Sequence, residues 1–198
     1  MIDVNLIIER FPAFLGGTDG APIMSTSDGL QLTLELLGLS LVFGLLLAVP
    51  MALMLVSRNK WVARPVWLYT YVFRGTPLLV QLFIIYYGLS QFDWVRDSWA
   101  WEYLREAYVC AILAFTLNTA AYTTEILAGQ IRNTHYGEIE AAKAMGMSRV
   151  KMYRRILLPS ALRRALPQYS NEVIMMLQTT SLASIVTLID ITGAARTV

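Results

Sequence analysis

The sequence predicts an all-α, polytopic membrane helical bundle, and three observations carry that prediction. The 198 residues are 56% hydrophobic with a mean hydropathy of +0.51 and only 15% charged, where a soluble domain carries about 25% charge. The apolar residues are gathered into runs long enough to cross a bilayer. The segments between those runs alternate in charge sign, as the excess of Lys and Arg on the inner side requires. The lone Cys110 excludes an internal disulfide framework, and the lone His135 excludes the usual zinc constellations.

Residues 1–29 carry Asp3, Glu9, Asp19 and Asp28 against Arg10. They lack the basic, apolar and small-residue order of a cleaved signal peptide. This segment is expected outside, on the periplasmic side. Leu30 to Val56 then supplies a first span with one charge, Glu35; at ~1.5 Å per residue it crosses a ~30 Å core with room for tilt. Gly38, Ser40 and Gly44 thin one side for close packing, and Pro50 is expected to kink the inner end.

Ser57 to Arg64 holds Arg58, Lys60 and Arg64 with no acid and is expected inside. A second span follows at about 66–91, interrupted at Arg74-Gly75-Thr76-Pro77, where proline removes a backbone donor. Arg74 has two readings, a side chain snorkelling toward the inner surface or one facing a solute path. Phe83, Tyr86, Tyr87 and Phe92 suit the outer interfacial belt. The acid-rich, Trp-rich stretch from Phe92 to Glu106 reads as an external loop with interfacial amphipathic character.

The third span, about 107–131, is the most polar, with Thr116, Asn118, Thr119, Tyr122, Thr123, Thr124 and Glu125. A carboxylate at the centre of a span costs ~2.5–3.5 kcal/mol on insertion scales, so Glu125 should face the bundle interior or water. A structural hydrogen bond and a transport role both fit it. From Arg132 to Arg164 there are eight basic residues and two acids, a net +6 that places this loop inside. Glu138 to Met145 reads as one short helix stopped by Gly146. Arg149 to Leu157 reads as a second, with Ser148 as N-cap and Pro159 as terminator. Helices this short need a surface to fold against. A groove on a partner protein and the anionic headgroups both qualify.

The pattern Glu140-Ala141-Ala142, three residues, Gly146, nine residues, Ile156-Leu157-Leu158-Pro159 resembles the EAA motif of bacterial ATP-binding-cassette (ABC) importer permeases. The resemblance implies coupling helices that dock on a cytoplasmic ATPase, with Glu140, Ala141, Ala142, Gly146, Ile156, Leu158 and Pro159 at the coupling positions. Phe73 to Pro77, Asn118 to Ile126 and Tyr169 to Ile174 resemble the polar amino acid permeases, in particular the M-type subunits for histidine, lysine, arginine and ornithine. That likeness implies a type I, MetI-like bundle with its N-terminus outside, carrying basic or polar amino acids.

A fourth span is expected at about 165–188, where Asn171 and Glu172 could meet a guanidinium or ammonium group or serve an interhelical hydrogen bond. The residues Thr180 to Ser184 could let this helix bend. The permeases it resembles have a fifth span, so the sequence reads as a fragment whose final span is missing. Candidate path residues are therefore Arg74, Asn118, Glu125, Asn171 and Glu172.

No G-x-x-x-x-G-K-[ST] run is present, so the chain is not its own P-loop ATPase. The resemblance implies an ATPase dimer carrying ATP and Mg²⁺, a second permease subunit (paralogue or self) and a periplasmic binding protein, with no cofactor or metal in this chain. A passive channel would need no coupling helices. An integral membrane enzyme lacks any nucleophile–base or metal-ligand spacing near Glu125, Glu172 or His135. Nucleic-acid binding is not expected, because membrane topology already accounts for the basic loop.

Overall fold

The computed structural model describes residues 30–182, which are helical with short connections and contain no strand. The first 29 residues and the outer end of the expected fourth span, including Ser184, lie outside the described residues.

The bundle is built around one central helix, and the remaining elements are arranged on it. Helix α1 (Leu30–Leu55) runs as a helix through Pro50 and packs along α6 (Ala107–Arg132). The contact is made by small residues at every fourth position. Ser40, Gly44, Ala48 and Ala52 on α1 are all buried, as are Thr116, Ala120, Thr124 and Ala128 on α6. Two such stripes let backbones approach closely, which is how helices associate where burial from water offers no drive. The approach is tightest at Gly44, where a Cβ would overlap the Thr119 methyl group. Gly38, expected on the same side, is exposed and off the stripe. Leu46, Val42 and Phe43 on the opposite side are exposed, as a lipid-facing surface requires.

Helix α2 (Lys60–Gly75) starts earlier than the expected Val66, because Asn59 accepts the Trp61 backbone N–H at 3.0 Å and caps it there. It continues after Pro77 as α3 (Leu78–Phe83), a π-helical turn (Ile84–Gly88) and a 3₁₀ turn (Leu89–Gln91). The two arms meet at 105°, so the interrupted second span is an elbow instead of one rod. The external stretch forms two four-residue helices, α4 (Asp93–Arg96) and α5 (Trp101–Leu104). Trp94 and Trp99 project outward from it.

By length and composition, α1 and α6 can each cross a membrane, and the bent α2–α3 pair makes a third if it is one crossing. Helix α9 (Leu158–Thr179), the inner part of the expected fourth span, carries Arg163, Arg164, Gln168, Asn171 and Glu172 and falls short of that apolarity. Its polarity has a use in the cleft described below.

The basic loop departs from expectation at Pro159. Helix α7 (Tyr136–Ala144) ends as predicted. Gly146 takes φ +69°, its N–H bonds Lys143 O at 2.9 Å, and Met147 N–H bonds Ala142 O at 3.1 Å, a Schellman cap. After Ser148, whose side chain makes no cap bond, α8 (Arg149–Met152) passes through a π-helical turn (Tyr153–Leu157) straight into α9. Pro159 therefore sits in the first turn of α9, where its missing N–H is tolerated, and does not terminate a helix. Nor do the short helices wait for an external surface. Ala142, Met152 and Leu157 are buried in one apolar cluster with Ala52 and Leu55 of α1 and Leu127 of α6.

Two arginines close the inner ends. Arg132 donates to Leu55 O at 3.4 Å, at the C-terminus of α1. Arg164 donates to Gln130 O at 3.1 Å and Thr134 Oγ1 at 2.9 Å, at the C-terminus of α6, and to Ser160 Oγ at 2.6 Å. Both place positive charge where a helix dipole favours it.

Candidate functional site: a charged cleft at the helix break

The elbow between α2 and α3 opens a cleft of about 830 Å³ against α6 and α9. All five path candidates line it: Arg74 from the elbow, Asn118 and Glu125 from α6, and Asn171 and Glu172 from α9. Their convergence follows from helical spacing. On α6, residues 118, 122 and 125 fall at i, i+4 and i+7 and share a face. On α9, Gln168, Asn171, Glu172, Met175 and Thr179 line the opposite wall at the same spacing.

Arg74 turns into the cleft. Its Nη1 is 4.0 Å from Glu125 Oε1, and its guanidinium lies 5.3 Å from the Tyr122 ring centroid, within cation–π range. The ion pair is at the limit of contact and both partners are partly accessible, at 44% and 24%. Such a pair holds little energy and can exchange partners.

Each carboxylate is oriented by a threonine from the neighbouring helix. Buried Thr70 on α2 shares its one hydroxyl proton between Glu125 Oε1 at 3.0 Å and Trp67 O at 3.1 Å, and buried Thr119 on α6 donates to Glu172 Oε1 at 3.2 Å. The cleft thus gathers one guanidinium and two carboxylates, with Met175 and Met176 supplying apolar wall.

Asn118 lines the cleft and also braces the elbow. Its Nδ2 reaches Gln81 Oε1 at 3.3 Å and Phe73 O at 3.4 Å, so its amide is committed to the elbow. Asn171 is exposed at the cleft rim. Two contributors, Thr70 and Gln81, were not noted from sequence, and two more, Thr119 and Tyr122, were noted only as polar residues of the third span. Gln81 had a visible signal, a lone amide inside the apolar run Leu78 to Phe83.

At the inner face, Glu140, Ala141 and Gly146 are exposed, whereas Ala142 is buried in the chain's own core. Ile156, Leu158 and Pro159 are half-buried. Tyr136, Met145 and Val150 stand out at 79%, 77% and 76% exposure.

Residues 40–195 match the family described as binding-protein-dependent transport system inner membrane component. The chain belongs to that family. As a member it is a permease subunit of an ABC importer, a transporter component of the inner membrane that works with a substrate-binding protein and a separate ATPase. Among relatives, it is 53% identical over 184 residues to the octopine transport system permease protein OccM of Rhizobium radiobacter, covering 93% of this chain and 74% of that one. It is 50% identical over 191 residues to the histidine/lysine/arginine/ornithine transport system permease protein HisM of Salmonella typhimurium, covering 96% and 80%. Among solved structures, the crystal structure of an amino acid ABC transporter with histidines aligns with TM-score 0.77 and 30% identity, over 97% of this chain and 80% of the other. The MetNI methionine ABC transporter in inward-facing form shares the fold, with TM-score 0.65 at 23% identity over 78% and 71%. The permease family accounts for the EAA pattern and its spacing, and a passive channel or a membrane enzyme does not.

Proposed function

We propose that this permease subunit carries basic amino acids of the arginine, ornithine, lysine and histidine class through the cleft at the elbow, histidine in its protonated form. Arg74 receives the substrate carboxylate, and Glu125 and Glu172 receive its cationic side chain. The observation that carries this reading is the charge inventory. Arg74, Glu125 and Glu172 line one cleft and sum to −1, and a substrate of net +1 completes a neutral site. Uncompensated charge inside a bilayer is costly, so a neutral loaded state is the one that can change conformation. The weak Arg74–Glu125 contact supports the same reading, since a substrate can displace it without breaking a strong pair. The name of one relative, a transport system for histidine, lysine, arginine and ornithine, supports a basic substrate.

Energy enters at the inner face. Glu140, Ala141 and Gly146 form the exposed part of the coupling surface, and Ile156, Leu158 and Pro159 tie it to α9. The partner ATPase, as a dimer holding ATP and Mg²⁺, moves α7, and α9 carries that motion to Asn171 and Glu172. A second permease subunit, identical or paralogous, completes the path.

Uptake of labelled arginine by the assembled transporter tests the substrate site. Glu172→Gln is expected to reduce uptake about tenfold, the effect of losing one charged hydrogen bond. Unchanged arginine uptake would remove Glu172 from the site.

A further inference from the structure

The elbow that presents Arg74 contains a backbone defect, and one side chain repairs it. In a continuous helix the carbonyl of Phe73 would accept the N–H of residue 77, but residue 77 is proline and has none. The Gln81 amide stands in that place. Its Nε2 donates to Phe73 O at 2.7 Å and lies 3.0 Å from Thr76 O and 2.8 Å from Thr76 Oγ1. Thr76 Oγ1 donates onward to Val72 O at 3.0 Å, so it faces Gln81 as an acceptor. The orientation of the amide is therefore set by chemistry, because the flipped form would aim Oε1 at two carbonyl oxygens. Gln81 is buried, at 6% exposure, where an unmade hydrogen bond has no water to replace it.

The free end of the same amide ties the elbow to the central helix. Gln81 Oε1 accepts from Asn118 Nδ2, which also reaches Phe73 O. One turn along α6, Tyr122 donates to Arg74 O at 3.4 Å, and one turn further Glu125 meets the Arg74 guanidinium. Three successive turns of α6 thus grip three consecutive features of the elbow. The contacts of the Gln81 amide nitrogen, at 2.7 to 3.0 Å, are shorter than the hydrogen bonds from α6 to the elbow, at 3.3 to 3.4 Å.

We propose that Gln81 is a positioning residue for transport: by replacing the hydrogen bond that Pro77 cannot make, it holds the 105° elbow and so aims Arg74 at the cleft. This rests on the reading that Arg74 binds substrate. Gln81 itself does not line the cleft, so its influence on transport passes through Arg74.

A double-mutant cycle in the assembled transporter tests it, with arginine uptake expressed per membrane-inserted complex. Gln81→Met keeps the side chain's length and removes its amide. It is expected to lower uptake about tenfold, Arg74→Gln about tenfold, and the pair together no further than Arg74→Gln alone. A purely structural role would lower the amount of inserted complex and leave uptake per complex near normal, whereas an effect on transport that bypasses Arg74 would multiply with Arg74→Gln to roughly a hundredfold loss; either result overturns the proposal. Asn118→Leu, which removes the relay's second amide while leaving the Gln81–Phe73 bond, runs alongside and is expected to give the same non-additivity with a smaller loss. Normal transport by Arg74→Gln overturns the cleft reading and the positioning role together. Loss in Arg74→Gln with normal transport in Gln81→Met overturns the positioning role alone.

Discussion

Substitution of Gly44 by alanine places a methyl group where α1 and α6 already touch, and the consequence can be worked from the local geometry. The added Cβ would overlap Thr119 Cγ2, while its next neighbours, Ala120 N and Thr116 O, lie at 3.5 and 3.6 Å, ordinary contact. The Thr119 methyl is thus the single obstruction. Thr119 can rotate out of the way, but its hydroxyl then leaves Glu172 Oε1, a charge-accepting hydrogen bond worth ~1.5–3 kcal/mol. If it does not rotate, the two small-residue stripes must separate, and overpacking of that kind costs ~1–3 kcal/mol. Either route costs about 1–3 kcal/mol, a factor of roughly 5 to 150 in the population of the packed, hydrogen-bonded state. Arginine uptake and the aggregation temperature of the solubilised complex should both fall in Gly44→Ala. The decisive measurement is the rescue. Thr119→Ser removes the obstructing methyl and keeps the hydroxyl, so Gly44→Ala with Thr119→Ser should recover most of the loss. A double variant no better than Gly44→Ala, or a Gly44→Ala chain indistinguishable from the parent, would refute the steric reasoning.

Two further outcomes are expected at the inner face. Gly146 occupies the left-handed region with open space around it, so Gly146→Val should cost ~1–2 kcal/mol through backbone strain alone, and Gly146→Asn less; ATPase stimulation by loaded binding protein should fall in that order. Arg164→Met removes the donors to Gln130 O, Thr134 Oγ1 and Ser160 Oγ and should destabilise the complex by ~1.5–3 kcal/mol, measurable as a lower aggregation temperature. Arg132→Ala, which loses one 3.4 Å bond at a more exposed position, should cost less.

Much of this was legible from residues taken one at a time. The spans of α1 and α6 follow from apolar length, the inner loop from its charge, and the end of α7 from Gly146. Proline was the less readable signal. Pro77 and Pro159 look alike in sequence, yet one marks a 105° turn and the other sits in the first turn of a continuing helix. A missing N–H is costly only where its acceptor has no other donor, and that depends on what packs nearby. Likewise Ala142 and Ala141 are adjacent members of one motif, but helical phase turns the first into the core and leaves the second exposed. The charges of the cleft were named from sequence because charges in spans are rare. The threonines that hold them were not assigned that role, Thr119 being one polar residue among several in its span and Thr70 not noted, because threonine is common in spans and only its partner marks it.

The elbow condenses the division. Sequence by itself determined that the second apolar run is interrupted at Gly75-Thr76-Pro77 and that Glu125 faces the bundle interior or water, because local backbone chemistry and the cost of charge in lipid do not depend on what packs nearby; it left Arg74 between the inner surface and a solute path. Tertiary structure decided the angle of the break, the amide from Gln81 that satisfies it, and the meeting of the three charges across α2, α6 and α9. The three charges stand 47 to 98 positions apart in the chain, and only the packing of small-residue stripes brings them within reach of one another.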